Sequence, residues 1–499
     1  MDFISNLVLG FSVALTVQNL AYAFLGALIG TLVGVLPGLG PLATMAMLMP
    51  TVYMLDATAA LIMLAGIYYG AQYGGSTTAI LINVPGESSA VVTAIDGYEM
   101  ARQGRAGPAL AVAALGSFFA GCIGTLVIAI FAKPLSLVAL EFGAREYSSL
   151  LVFGLVGSVA LASGSIVKAI CMIIVGLVLG QIDTDLISGT PRFTFGIDQL
   201  SDGIDFVVLA MGLFGLGEII ANLGESAEKR EVFTRNVRGL WPTKEDFKAA
   251  YPAVLRGTAL GSVLGVLPGA GAVLSSFAAY GLEKKVAGDS GHFGKGDIRG
   301  VAGPESANNA AAQTSFIPML SLGLPSGPVM ALMIGAMTIK GIQPGPQVMS
   351  SNPSLFWGFI ASMWVGNLML VVLNLPLIGI WIKLLTVPYR LLFPAILSFC
   401  CIGLYSLSND SFGIYVAVLF GVLGYLFRKL SCEPAPLLLG FVLGPMIEEN
   451  LRRALLLSGG DWLTFVSTPL SAGLLLATLL LVLVPTLARM RQATQQGEQ

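Results

Sequence analysis

Charge is scarce in this chain. Asp, Glu, Lys and Arg make up 11% of its 499 residues, where a soluble globular protein carries about 25%. With 55% hydrophobic residues and a mean hydropathy of +0.83, that scarcity excludes an ordinary water-soluble fold. It points to an all-α polytopic membrane protein. Histidine is nearly absent: His292 stands alone in a polar loop, which leaves no histidine-based metal centre or triad. No HExxH, no GxSxG and no nucleophile–base pair lies in an apolar segment, so no catalytic residue, resident metal or organic cofactor is expected. Cysteine is sparse and odd in number. Cys122, Cys171, Cys400, Cys401 and Cys432 lie in or beside apolar runs, without the spacing of a disulfide framework or a metal knuckle. Basic residues are missing altogether before Arg102. The opening MDFISNLVLGF therefore lacks the basic region of a cleavable signal, and the first apolar run is expected to do the targeting.

What is present is a series of apolar runs, each of about 20 residues, the length that crosses a bilayer. They lie near 3–20, 108–131, 146–162, 166–182, 203–222, 354–380, 391–407, 411–427, 433–449 and 465–488. Two interrupted segments, 57–95 and 301–340, bring the expected number of crossings to about twelve. Two polar loops stand out. One, 223–249, carries Lys229, Arg230, Arg235, Arg238, Lys244 and Lys248; the other, 283–300, carries Lys284, Lys285, Lys295 and Arg299. The positive-inside rule makes both cytoplasmic. Glu225, Glu228, Glu231, Glu245 and Asp246 interrupt the first loop, so it is no nucleic-acid surface. The stretch between the loops, about 250–282, is too short for two crossings of about 20 residues each. It reads as a re-entrant hairpin that enters from the cytoplasm. Arg452 and Arg453 fall on the outer side in this scheme, where an interfacial turn with Glu448 and Glu449 would hold them.

The breaks come in matched pairs. GVLPGLGP contains Pro37, Gly38, Leu39 and Gly40; GVLPGAGA contains Pro268, Gly269, Ala270 and Gly271. ILINVPGESS carries Asn83, Pro85, Gly86 and Glu87, and aligns with MLSLGLPSGP, which carries Pro325, Ser326 and Gly327. The basic loops put the two halves in opposite orientation, so the expected plan is two inverted repeats, each with a re-entrant hairpin and a broken helix. Residues 1–25 form a first crossing. Repeat 1 covers 26–131, with its hairpin near 26–56 and broken helix at 57–95. Scaffold helices fill 132–222, and 223–249 is the cytoplasmic connector. Repeat 2 covers 250–380, with the hairpin at 250–282 and broken helix at 301–340. Scaffold helices and a cytoplasmic tail fill 381–499. A helix broken in mid-membrane exposes backbone groups that only protein or a water-filled site can satisfy. N-terminal half-helix ends suit an anion, while unwound carbonyls suit a small cation. Glycine and proline at a single break are equally well explained by close packing; two matched pairs favour a site. The nearest hydroxyls are Ser76, Thr77, Thr314 and Ser315, expected to help bind solute or cation. Thr78, Glu87, Glu305, Asn308 and Asn309 are expected around the coupling ion, Na⁺ or H⁺. Glu305 could equally cap a helix start near a membrane boundary.

GVLPGLGPLATMAMLMP, YYGAQYGGSTTAILINVPGESSAVVTAIDGYEMARQGRAGPAL, GVLPGAGA, GPESANNAAAQTSFIPMLSLGLPSGPVMALMIGAM and GIQPGP together resemble the large membrane subunit of the tripartite tricarboxylate transporters, the TctA family. The resemblance implies a multi-pass carrier in the bacterial inner membrane. It implies two protein partners: a small membrane subunit (TctB-like) and a periplasmic solute-binding protein (TctC-like). It also implies uptake of citrate or another organic carboxylate, driven by an ion gradient rather than by ATP. A channel or exporter on the same scaffold, without a binding protein, is the alternative. The topology can be checked with Ser226→Cys and Ser290→Cys in a cysteine-free background. Both positions should react with an impermeant thiol reagent only from the cytoplasmic side; labelling of either from outside would reject the hairpin.

Overall fold

The computed structural model describes residues 3–36, 40–139, 141–160, 165–185, 188–224, 239–267, 271–384, 389–408 and 410–481. Six residues of the two expected hairpin tips lie outside them: Pro37, Gly38, Leu39, Pro268, Gly269 and Ala270. So do most of the connector and the tail beyond Leu481. The described chain is almost wholly helical; a two-stranded ribbon, β1 (Asp183–Thr184) with β2 (Pro191–Arg192), is the sheet within it.

The first block is α1 (Phe3–Ala14), α2 (Val17–Gly34), α3 (Pro41–Tyr53), α4 (Ala57–Ile82), α5 (Val91–Arg102) and α6 (Ala106–Ala139). The expected first crossing at 3–20 is two helices, because the chain turns at Leu15 and Thr16. The Thr16 hydroxyl accepts from the Asn19 amide and starts α2 there. After α6 come α7 (Ala144–Ala160) and α8 (Ile166–Leu179). Next, α9 (Phe206–Ala210) passes through a π-helical turn at Met211–Leu216 into α10 (Gly217–Gly224). The second block is α11 (Lys244–Leu264), α12 (Gly271–Ala287), α13 (Arg299–Thr314), α14 (Phe316–Leu322) and α15 (Pro328–Ile339). Then follow α16 (Val348–Ser351), α17 (Pro353–Asn374), α18 (Ile378–Leu384), α19 (Tyr389–Ser408), α20 (Phe412–Lys429), α21 (Ala435–Leu457) and α22 (Pro469–Leu481). Among the described residues, Val17–Gly34, Ala106–Val138, Pro353–Asn374 and Phe412–Lys429 are long and apolar enough to cross a bilayer by length and composition. Several other runs are divided. For example, Pro318 cannot donate to the Thr314 carbonyl, and the helix is interrupted at Ser315 between α13 and α14. Large apolar side chains such as Ile4, Val17, Val167 and Tyr415 are exposed on the outer surface. That is the surface of a multi-pass membrane protein, turned towards lipid.

Backbone contact sets the core. α2 packs along α4, and α11 packs along α13. A Cβ at Gly26, Gly30 or Gly34 would lie 2.3, 2.3 or 2.4 Å from the carbonyl oxygens of Met63, Ile67 and Ala71. A Cβ at Gly257, Gly261 or Gly265 would lie 2.3, 2.2 or 2.4 Å from those of Gly303, Ala307 and Ala311. Both ladders place a glycine at every fourth residue, the spacing that keeps one face of a helix bare. The partners diverge beyond that. α12 returns along α11, clamped by Arg256, whose guanidinium donates to both oxygens of buried Glu283 at 2.7 and 2.6 Å. α3 instead lies mainly against α4, α15 and α19.

Polar contacts close the two ends. The Asp96 carboxylate on α5 accepts from the backbone amides of Gly294, Gly296 and Asp297 at 2.8–2.9 Å, and from the Tyr280 hydroxyl at 2.9 Å. Burial opposes the charge on Asp297, but Arg299 and the amides of His292 and Arg299 hold its carboxyl below the usual range. The stretch bearing Arg102 and Arg105 thus touches the basic loop 283–300. Elsewhere, Lys340 donates to the carbonyls of Tyr53 and Leu55. Arg452 is paired with Asp185 and Glu448, and Arg192 with Asp183 and Glu448, so a charged turn holds the arginine that the apolar pattern left without a place.

The ladders make a sharp expectation. Gly30→Val and Gly261→Val press two methyl groups against a carbonyl that cannot yield, and each should cost at least about 1–3 kcal/mol. Exposed Gly281, with open space at its Cβ position, should accept alanine without loss. Thermal unfolding of the detergent-purified chain reads the difference.

Candidate functional site: a buried polar cluster between two broken helices

Two left-handed residues end the helices that lead into the breaks. α4 stops at Asn83 (φ 56°, ψ 28°) and α14 at Gly323 (φ 69°, ψ 20°). Asparagine and glycine are the residues that reach this conformation at least cost. At Gly323 the amide donates to Met319 and the following amide to Pro318, which closes the helix end. A Cβ there would also stand 2.6 Å from the Pro344 carbonyl oxygen.

Two helices start near the breaks without a side-chain cap, α3 after the tip of the first hairpin and α15 after the break at Gly323. α3 begins after Gly40 with Pro41 at its first position, and α15 begins after Gly327 with Pro328. By contrast, Thr16, Asp56 and Thr243 cap α2, α4 and α11 with their side chains. Gly271 (φ 48°) opens α12. Among the described residues, no atom beyond the chain neighbours and the helix's own backbone lies within 4 Å of a Cβ position at Gly271 or Gly327. Helix N-termini carry unpaired N–H donors and partial positive charge. Gly86 packs so closely on Gly34 and Gly75 that a Cβ would lie 2.5 Å from the Gly34 carbonyl oxygen, and Gly40 is the nearby end of the first hairpin.

Above the breaks, polar side chains from both blocks meet. The Ser76 hydroxyl donates to Glu305 at 2.8 Å, and Thr93 donates to the other carboxylate oxygen at 2.5 Å. The Asn308 amide donates to Glu87 at 3.1 Å and accepts from Gln72 at 3.4 Å. Ser89 also donates to Glu87, at 2.5 Å. The Asn309 amide donates to Ser117 on α6 at 2.7 Å. Glu305 is 1% exposed, so it does not solvate a helix start at a boundary. Among the described residues, none of the ion pairs includes Glu305 or Glu87. A carboxylate taken from water without a cation is costly; that cost bears on the buried Glu305, while Glu87 is half-buried.

The expected residues therefore divide. Ser76, Glu87, Glu305 and Asn308 are joined across the two blocks, with Asn309 one step away. Thr77, Thr314 and Ser315 are buried but turn their hydroxyls back to their own helices, onto the carbonyls of Tyr73, Ala310 and Ala312. Thr78 does the same with Gly75, beside Gly86. Ser326 donates to the Ser315 carbonyl at 3.3 Å, with Pro325 buried next to it. Asn83 is exposed and Pro85 half-buried. Gln72, Thr93, Ser117 and Asn374 belong to the cluster or its margin and were not expected. A polar amide within an apolar run, as in Asn374 of LVVLNLPL, was the available signal.

Removing one hydroxyl leaves Glu305 short of a donor. Ser76→Ala and Thr93→Val should each destabilise by about 1–3 kcal/mol. Either loss should shrink in a Glu305→Gln background, and a double-mutant cycle on thermal unfolding measures that coupling.

The description "tripartite tricarboxylate transporter TctA family" matches residues 20–439. An Agrobacterium vitis protein named as an uncharacterized 52.8 kDa protein in the TAR-I ttuC′ 3′ region is 59% identical over 494 residues, 98% of each chain. A second from the same organism, named for the TAR-II ttuC′ 3′ region, is 59% identical over 234 residues, 46% of this chain and 97% of its own. No solved structure matches. With the match running from before α3 into α21, the chain belongs to the tripartite tricarboxylate transporter TctA family.

Proposed function

We propose that the chain is the large membrane subunit of an ion-driven importer in the bacterial inner membrane. Its solutes are tricarboxylates such as citrate, or related organic carboxylates. They are delivered by a periplasmic solute-binding protein (TctC-like), and a small membrane subunit (TctB-like) completes the assembly. The observation that carries this reading is the pair of uncapped helix starts at Gly40 and Gly327, beside the breaks, within a chain of the TctA family. A carboxylate needs several donors, and helix N-termini supply them without a basic side chain. The two glycine ladders support a plan of two repeats, and the contrast between the basic loops around 250–282 and the flanks of the first hairpin, free of Lys and Arg, supports an inverted arrangement. Solute carboxylates lie between the hairpin tips, Pro37–Gly40 and Pro268–Gly271, and the breaks at Asn83–Glu87 and Gly323–Gly327. The carboxylate-bearing cluster around Glu305 and Glu87 serves the coupling ion. The two broken-helix blocks move together against the remaining helices.

Uptake by membrane vesicles tests this. With the small subunit and binding protein present, an imposed Na⁺ or pH gradient should drive accumulation of at least one member of a carboxylate panel. Gly38→Val and Gly269→Val should abolish accumulation while insertion persists; His292→Ala and Lys244→Ala should retain it. Equilibration without accumulation would make the chain a channel, and uptake independent of the binding protein would remove that partner.

A further inference from the structure

A small cavity of about 20 Å³, room for one ion or water, lies between α4, α6, α13 and the end of α17. Its polar wall is Tyr73, Ser76, Thr77, Ser117, Glu305 and Asn374. The hydrogen-bond inventory of that wall is one-sided. The Thr77 hydroxyl donates to the Tyr73 carbonyl at 3.0 Å, and Ser76 donates to Glu305. The Tyr73 hydroxyl donates to the Ala114 carbonyl at 3.4 Å. Ser117 accepts from Asn309. Asn374, 4% exposed, uses its amide nitrogen on the Leu370 carbonyl at 2.9 Å, and its carbonyl oxygen has no partner. The hydroxyl protons of Ser76, Thr77 and Tyr73 are thus committed elsewhere, and lone pairs remain. A buried acceptor with no donor is costly, and native structures leave few of them.

We propose that this cavity is a binding site for a small monovalent cation, held by Glu305, the side-chain carbonyl of Asn374 and the hydroxyls of Ser76, Thr77 and Ser117. Oxygen ligands with free lone pairs suit a hard cation and repel a carboxylate. One carboxylate lines the cavity, so one positive charge balances it. Glu87, which a divalent ion would need, is not part of the wall. The site is separate from the helix starts assigned above to the solute. It lies on Ser76 and Glu305, the pair that joins the two blocks, so an occupant would bias how they sit together. That the bound ion is the one that drives transport rests on the carrier reading; that it binds does not.

The test uses the purified full chain in detergent, without solute or binding protein. Binding of radioactive Na⁺ and thermal unfolding are followed while NaCl replaces choline chloride at constant ionic strength. KCl and pH series run in parallel. The expected result is saturable Na⁺ binding with a rise in unfolding temperature. Asn374→Leu and Thr77→Val should each raise the half-saturating concentration at least about tenfold, with unfolding in choline chloride close to that of the unmodified chain. If Asn374→Leu fails to fold, Thr77→Val decides alone. A K⁺ response in place of Na⁺, sensitive to the same variants, supports the site with a larger ion. Three results overturn it: no saturable response to either ion, a response that both variants leave unchanged, or a stability change with pH alone that Glu305→Gln removes. The last would mean that Glu305 carries a proton. Lost uptake with intact Na⁺ binding would reject the carrier reading alone, whereas uptake without Na⁺ or K⁺ binding would reject this site alone.

Discussion

A carbonyl oxygen standing where a side chain would otherwise be is the constraint on which the rest of this structure depends. Along α2 and α4, and again along α11 and α13, helix backbones are close enough that no residue larger than glycine fits at every fourth position. In an apolar surrounding such packing must replace the hydrophobic effect as the force between helices, because lipid tails are as apolar as leucine. It also fixes geometry. With α4 held against α2, Gly86, three residues past the left-handed turn at Asn83, comes to rest beside Gly34 and Gly40. With α13 held against α11, Ala311 and Thr314 at the end of α13 come to rest beside Gly265. The broken helices are placed by the glycines before any polar group acts.

That placement explains why the polar residues can be buried. Ser76, Gln72 and Thr93 come from the first block and Glu305 and Asn308 from the second, and each reaches a partner more than two hundred residues away. A hydroxyl at 2.5–2.8 Å from each oxygen of Glu305 replaces part of its hydration. It does not replace a positive charge. The remaining electrostatic cost persists until a proton or cation arrives, so the site's affinity for that charge and the docking of the two blocks are linked quantities. A carrier needs such a link, because occupancy must decide which arrangement of the helices is favoured.

Much of this was legible in the chain itself. Pro85 and Pro325 lie just past the left-handed ends of α4 and α14, where proline's missing backbone donor is a local signal; Pro37 and Pro268 carry the same signal but lie outside the described residues. Scarcity of charge gave the class for the same reason. The partners of Glu305 were not legible, since Thr93 and Ser76 are ordinary small polar residues until a fold brings them together. Helix ends were read less well. Leu15–Thr16 interrupts an apolar run that hydropathy treats as continuous, and the cap at Thr16, not composition, decides it. The π turn at Met211–Leu216 likewise leaves no mark in an apolar sequence. The glycine ladders were written plainly at Gly26, Gly30 and Gly34 and at Gly257, Gly261 and Gly265, but their meaning required the opposing carbonyls.

The contacts also limit how such a molecule could move. Among the links that join the first broken block to the second are four: Ser76 and Thr93 to Glu305, Asn308 to Glu87, Asp96 to the amides of Gly294, Gly296 and Asp297, and Arg105 to Asp246. Sliding one block past the other would break all of them together, including buried bonds to charged groups worth about 1.5–3 kcal/mol each. α7, α8 and α21 pack mainly on one another, with α15 among their few contacts with the broken blocks. Displacing the joined blocks against that group breaks none of the four links. For the carrier proposed above, the motion that these contacts favour is one in which the cluster travels intact while the surface against α21 is remade. In that proposal the glycine ladders and the central carboxylate serve one end: a body stiff enough to move as a unit, holding a charge that needs an occupant.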